Sequence, residues 1–448
     1  MINFNSKKKL ISIVNINFII FIILSFLFLI FSFYKFYFPP EPVTSLFYIT
    51  CISIGVIGII FFIYGIFFFE KNVKINLSII IYTFIITIYV IELLFVYSEK
   101  NVRITLAEKY NINFDKRTRL EVLEDLSKKE NNVFPNFFPR IFILNNGINT
   151  KTGKIFPFGS ISNSKTILYN EAGFFPIIDT DEKGFSNPRG LYDNVEILIV
   201  GDSFVEGGYG VNVENSISGI LRANEFNTIT LGKSGNGPLI EYATLREYAQ
   251  FLKPKIVLWM YYYDDLDNLN LELKSNILQQ YLNDKNFSQN LFNRQNEIDY
   301  AFKDYIKKNY RINKNLNSKF FKILTLNKTR KLFNAKPQPK IEELKIRDFK
   351  KIISLSEKLI SSWGGKLYFV YLPSFNKYFY NKDDVNRNFV IEFINDKNIS
   401  IIDIQADVFD LHEDPLSLFP FRISGHYNAN GYKKISEHIM KIINNDLN

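Results

Sequence analysis

The sequence predicts an α/β protein in two physical parts: a three-layer α/β/α domain on a parallel sheet, preceded by three transmembrane helices. Residues 10 to 97 hold three runs dominated by Ile, Leu and Phe. From Val195 onward, short continuous apolar runs alternate with helical patterns, as expected of strands buried on both faces of a parallel sheet. At 448 residues and 47% hydrophobic content, the chain exceeds one ordinary domain and can supply both a membrane part and a soluble core.

The runs Leu10 to Tyr34, Leu46 to Phe69 and Leu77 to Tyr97 each reach the ~20 residues that cross a hydrocarbon core as a helix. The first continues into two more spans, so it reads as an anchor and not as a cleaved leader. Lys7, Lys8 and Lys9 precede the first span and Lys71 and Lys74 follow the second, while the first connection holds only Lys35. By the positive-inside rule the N-terminus is expected in the cytoplasm of a cell with an inner membrane, with everything after the third span periplasmic or extracellular. Glu92, near the end of the third span, reads as a snorkelling carboxylate.

Residues 1–100 are thus expected as a membrane anchor, 101–194 as a lead-in region and 195–448 as the α/β domain. The lead-in carries one charged helix, Thr118 to Lys129, among Pro, Gly and Asn punctuation. Strands are expected at Val195 to Val200, Thr228 to Leu231, Ile256 to Met260, Leu367 to Leu372 and Ile399 to Ile404. A helical, Asn- and Lys-rich insertion interrupts them at about 269–340, ending in the linker-like Ala335 to Pro339. Helices follow at Ile341 to Trp363, Val385 to Phe393 and Gly431 to Ile443.

Composition excludes several classes. The net charge is +9, but the Lys residues are dispersed among Asn, Asp and Glu, so no basic stripe for nucleic acid forms. Cys51 is the single cysteine and lies in the second apolar run, which leaves no intrachain disulfide or thiolate cluster. No metal or cofactor is expected.

The candidate chemistry sits where the first strand of the sheet ends. VEILIVGDSFVEG, Val195 to Gly207, is a buried strand running through Gly201, Asp202 and Ser203 into a helix. Ligands of open parallel sheets lie beyond the carboxyl ends of the strands, which places Ser203 as a candidate nucleophile. Nearby backbone N–H groups there can stabilise an oxyanion.

This strand followed by Gly-Asp-Ser resembles the SGNH hydrolases, the GDSL-like lipase and esterase superfamily. Two further elements match in order: LGKSGNGP, Leu231 to Pro238, and SGHYNANGY, Ser424 to Tyr432. The resemblance implies a flavodoxin-like sheet, Ser203 as nucleophile, His426 as general base and the Gly235 N–H as an oxyanion donor, with Asp202 holding the turn. His412 and His438 fit packing or solvated roles better.

Two positions depart from the pattern. Where the family places an oxyanion-binding asparagine, MYYYDDLDN has Asp264, with Asn268 able to reach the site only if the loop is shifted. An ionised Asp264 would repel the oxyanion, so activity needs it protonated, turned away or replaced by another donor. The acid expected two or three positions before His426 is also missing, since Ile423 and Ser424 stand there. Asp403, Asp407, Asp414 or a backbone carbonyl are then the candidates to orient the imidazole.

The segment Tyr169 to Pro188 reads equally as a glycan-lining wall, through Tyr169, Phe174 and Phe175, and as a lid over a sheet edge. The expected activity is that of a serine esterase on O-acyl groups of an envelope polysaccharide or lipid. Transfer of an acyl group to a glycan, served by an acyl-donor membrane partner, and catalytically silent glycan binding or assembly are the alternatives.

Overall fold

The computed structural model describes residues 4–37, 45–98, 101–316, 323–329 and 343–447. It divides into two compact units, Met1–Glu99 with Ile312–Pro337, and Lys100–Arg311 with Gln338–Asn448.

In the first unit, α1 (Phe4–Tyr37), α2 (Ser45–Phe68) and α3 (Lys71–Ser98) are the three helices long and apolar enough to cross a membrane. The protein is membrane-anchored through them. Phe18 locks α1 to α2, its ring meeting Phe62 edge-on at 5.5 Å. Gly65 leaves the room for this, because a Cβ there would lie 2.5 Å from the Phe18 ring. Lys74, in the first turn of α3, donates to Asn15 Oδ1 of α1 (3.0 Å) and to Ile66 O near the end of α2 (2.7 Å), so one lysine ties the three helices together.

Glu92 does not snorkel. It is fully buried and accepts the backbone N–H groups of Lys328 (2.8 Å) and Thr329 (2.7 Å) and the Thr329 hydroxyl. A carboxylate on a membrane helix is affordable when donors surround it, and here they come from a part of the chain more than two hundred residues downstream.

The second unit begins with α4 (Val102–Lys109), N-capped by Asn101, and α5 (Arg119–Lys129), opened by a capping box between Thr118 and Glu121. Two antiparallel hairpins follow, β1 (Ile148–Thr150) with β2 (Gly153–Ile155), and β3 (Lys165–Ile167) with β4 (Ile177–Asp179). The lead-in is therefore more ordered than its irregular punctuation suggests, since three-residue strands are too short to show a period.

The main sheet contains β5 (Ile197–Val200), β6 (Thr228–Thr230), β7 (Ile256–Tyr261), β8 (Lys366–Tyr371) and β9 (Ser400–Asp403), all parallel in the order β6-β5-β7-β8-β9. Each overlaps a predicted strand. Alternation along β7 shows the layers: Val257, Trp259 and Tyr261 enter one core, Ile256, Leu258 and Met260 the other. Helix Glu343–Ser361 covers the first face through Phe349 and Ile353, and helix Ala429–Leu447 the second through Ile435 and Ile439. This is the three-layer α/β/α arrangement, and its strand order is of flavodoxin-like type. The expected linker Ala335 to Pro339 lies outside the described residues.

β6 is an edge strand, and Asn187 seals it. Its amide accepts from Thr230 N (2.8 Å) and donates to Thr230 O (2.9 Å), satisfying the groups an edge leaves open. Part of the Tyr169 to Pro188 segment thus covers the sheet edge.

Candidate active site

At the end of β5 the chain must turn sharply beneath the neighbouring strand. A Cβ on Gly201 would lie 2.9 Å from Val205 Cγ2 and 3.0 Å from Met260 O, so only glycine lets the ends of β5 and β7 approach. Asp202 then caps the short helix α6 (Ser203–Glu206), its Oδ1 accepting from Phe204 N at 2.9 Å. Ser203 is thereby held at the carboxyl end of the sheet, its Oγ 3.4 Å from Asp202 Oδ2.

The structure brings Ser203 and His426 together. His426 Nε2 lies 2.7 Å from Ser203 Oγ. The imidazole is clamped between Tyr209, stacked at 4.4 Å, and Phe204 at 4.5 Å. Its other nitrogen, Nδ1, lies 3.1 Å from Glu171 Oε1, while the His426 backbone N–H donates to Glu171 Oε2 at 2.8 Å. The tautomer protonated on Nδ1 satisfies both ring contacts.

The imidazole's partner is therefore none of the residues expected near it in sequence. Asp403 pairs with Arg387, Asp414 with Arg422, and Asp407 lies 3.3 Å from His438. Glu171 takes the role from the lead-in region, where an Asx turn holds it: Asn170 Oδ1 accepts from Gly173 N at 2.8 Å. Gly173, at φ +105°, faces Asn113 O only 2.6 Å from where a Cβ would be. Burial pushes the Glu171 carboxyl up, but the adjacent His426, the hydrogen bonds it donates and Arg103 outweigh this and leave it below the usual carboxylate value. The only sequence hint was an acidic residue among turn formers. His412 Nδ1 accepts from Asp414 N, so neither other histidine meets Ser203.

The loop after β6 forms the opposite wall. Gly235 has φ +73°, which glycine adopts without strain, and Arg140 Cδ fills the space 2.9 Å from its Cβ position. Behind it, Lys233 and Glu206 make a fully buried ion pair at 2.5 Å. Glu206 Oε2 accepts from Ser234 N at 3.1 Å, and Asn136 bridges both partners at 2.7 and 2.8 Å, so the charges are fully hydrogen-bonded.

Asn268 does not take the asparagine role expected after the third strand. Its Oδ1 accepts from Arg140 Nη1 (2.8 Å) and its Nδ2 donates to Asn236 O (3.3 Å), committing the whole amide. Asp264 remains there, its Oδ1 buried with no hydrogen-bond partner among the described residues. One carboxylate oxygen from each of Asp202, Asp264 and Asp265 lies within 4.8 Å of the other two, so a charge on one disfavours charge on the others. Burial, reinforced by Asp202, pushes the Asp264 carboxyl up to about 7. Arg140 supplies the compensating positive charge.

Outside this centre, Tyr169 stacks on Tyr209 at 6.2 Å with Arg119 4.7 Å above its ring. Tyr169 and Phe174 are exposed. A cavity of about 610 Å³ at Gly147, Lys154 and Tyr305 includes no residue of the Ser203 centre.

The strand order, with serine after the first strand and histidine before the last helix, defines a flavodoxin-like α/β domain whose arrangement is similar to that of the SGNH hydrolases. No family model matches the sequence, and no curated protein matches it. Similar solved structures include a lipolytic protein of the G-D-S-L family from Desulfitobacterium hafniense, at 15% identity, covering 55% of this chain and 99% of that one with a TM-score of 0.32. A lipase/acylhydrolase from Enterococcus faecalis is 11% identical over 56% of this chain and 96% of its own, TM-score 0.33. An acetylxylan esterase from Geobacillus stearothermophilus is 13% identical over 56% and 94%, TM-score 0.31. At such values the functional reading rests on this chain's own geometry.

Proposed function

We propose that the domain is a serine esterase working through an acyl-enzyme, with Ser203 as nucleophile, His426 as base and Glu171 as the acid that orients it. The observation that carries this reading is the continuous contact from Ser203 Oγ through both imidazole nitrogens to Glu171, assembled from three distant segments. His426 takes the Ser203 proton as Oγ attacks the ester carbonyl, and returns it to the leaving alcohol as the tetrahedral intermediate collapses. Water then attacks the acyl-enzyme by the same relay and releases the acid. The Ser203 and Gly235 N–H groups supply oxyanion donors.

The substrate in this proposal is an O-acylated polysaccharide or lipid of the cell envelope, reached from the outer side of a cytoplasmic membrane. The charge difference between the connections of the membrane helices supports that orientation, and the exposed Tyr169, stacked on Tyr209 of the imidazole clamp, offers an apolar face to a sugar or acyl chain. Transfer shares the acyl-enzyme and differs in having a sugar hydroxyl arrive in place of water. Asp264 favours a silent binding reading wherever its carboxylate is charged, since no oxyanion would form beside it.

The test is hydrolysis of p-nitrophenyl acetate by the full chain in detergent, beside Ser203→Ala. A fall of about a thousandfold or more is expected on removing a nucleophile. Equal rates, together with failure of a fluorophosphonate to label Ser203, would overturn the esterase reading.

A further inference from the structure

We infer that Arg103 is a positioning residue for the Glu171–His426 pair, acting as a fork that sets the spacing between the two segments carrying them. This rests on the esterase reading above for its kinetic consequence, but its geometry stands independently. Arg103 Nη1 donates to Glu171 O at 2.7 Å and Nη2 to Ser424 O, also at 2.7 Å. One guanidinium thus grips the backbone of the acid itself and the backbone two residues before the base.

The packing leaves no slack around it. A Cβ on Gly425 would lie 2.7 Å from Arg103 Nη2 and 2.7 Å from Glu171 Oε2, so the glycine between the gripped carbonyl and the base is what lets carboxylate and guanidinium close in. Asn101 accepts from Arg103 N at 3.0 Å and fixes the start of α4, from which the side chain reaches out. The loop it grips needs holding: Phe421 and Arg422 have φ of 53° and 57°, a conformation that persists in non-glycine residues only when surroundings impose it. Arg103 also adds positive charge near Glu171, which favours the ionised carboxylate that the imidazole requires. A lysine could supply the charge but not the two-pronged grip.

The role requires a signature that mere stabilisation would lack. In the full chain in detergent, Arg103→Gln should lower kcat for p-nitrophenyl acetate by about 10- to 100-fold, as when an outer support of a reacting group is lost, with KM little changed. Arg103→Lys should recover only part of the loss. In a Glu171→Gln background the same Arg103→Gln change should cost less than threefold, because the pair it sets no longer exists. An undiminished loss in that background would overturn the inference. The downfield proton resonance of His426 Nδ1–H gives a readout free of turnover. It should be present in the parent protein and broadened or lost in Arg103→Gln at unchanged thermal midpoint. Its persistence unaltered would overturn the inference. Its loss in a parent that never labels at Ser203 would sustain the fork while removing the esterase.

Discussion

Glu171 and His426 stand 255 residues apart in sequence, yet Glu171 accepts from the His426 backbone N–H and lies 3.1 Å from its ring Nδ1. The acid is thus supplied by the region ahead of the sheet, and both its oxygens are used on the same histidine. The lead-in segment is a part of the centre and not only a cover for it.

Replacing that carboxylate should be costly. Glu171→Gln keeps the shape but removes the charge and allows the wrong tautomer, and kcat at neutral pH should fall by about a hundredfold to ten-thousandfold. The pH dependence has a definite sign. Because the folded protein holds Glu171 below its ordinary value, its contribution to orientation and stability is present at neutral pH and is lost as pH falls through that lowered value. Stopped-assay rates and thermal midpoints from pH 7 down to pH 4 check this.

Asp264 should impose the opposite limb. Its carboxyl is held up at about 7, so it is neutral in mildly acid solution and charged above. As a carboxylate it disfavours both folding and a nearby oxyanion, so stability and kcat should decline as pH rises through 7. Asp264→Asn should flatten that decline and raise kcat at pH 8 several-fold. A variant with the parent's alkaline profile would separate Asp264 from the oxyanion.

Lys233→Met leaves Glu206 charged, buried and short of its partner. Removing one member of a buried pair typically costs about 3–5 kcal/mol, and denaturant unfolding of the soluble unit's transition should show a loss of that size. The Ser234 to Gly235 loop loses its support with it, so kcat should fall as well.

The proposed outward placement of the unit that follows the membrane helices predicts that alkaline phosphatase fused after Asn448 is active in a bacterial host while a cytoplasmic fluorescent reporter at the same point is dark. The reverse pattern would move the substrate to the cytoplasm.

Much of this protein is determined locally and is therefore legible in one dimension. The three membrane helices follow from run length and apolarity, and the five parallel strands from continuous apolar runs, because burial on both faces leaves no polar alternation to misread. Ser203 follows from its place at a strand end, and His426 from the resemblance of its segment to the last motif of the SGNH hydrolases. What the tertiary structure alone decided are the partnerships between distant segments. Glu171 reaches His426, Arg103 grips both their loops, Asn187 seals β6, and Asn268 is consumed by Arg140. Glu92 likewise finds its donors at Lys328 and Thr329. None of these has a periodicity or a fixed spacing, since a single side-chain hydrogen bond constrains two points in space and leaves the length of chain between them free.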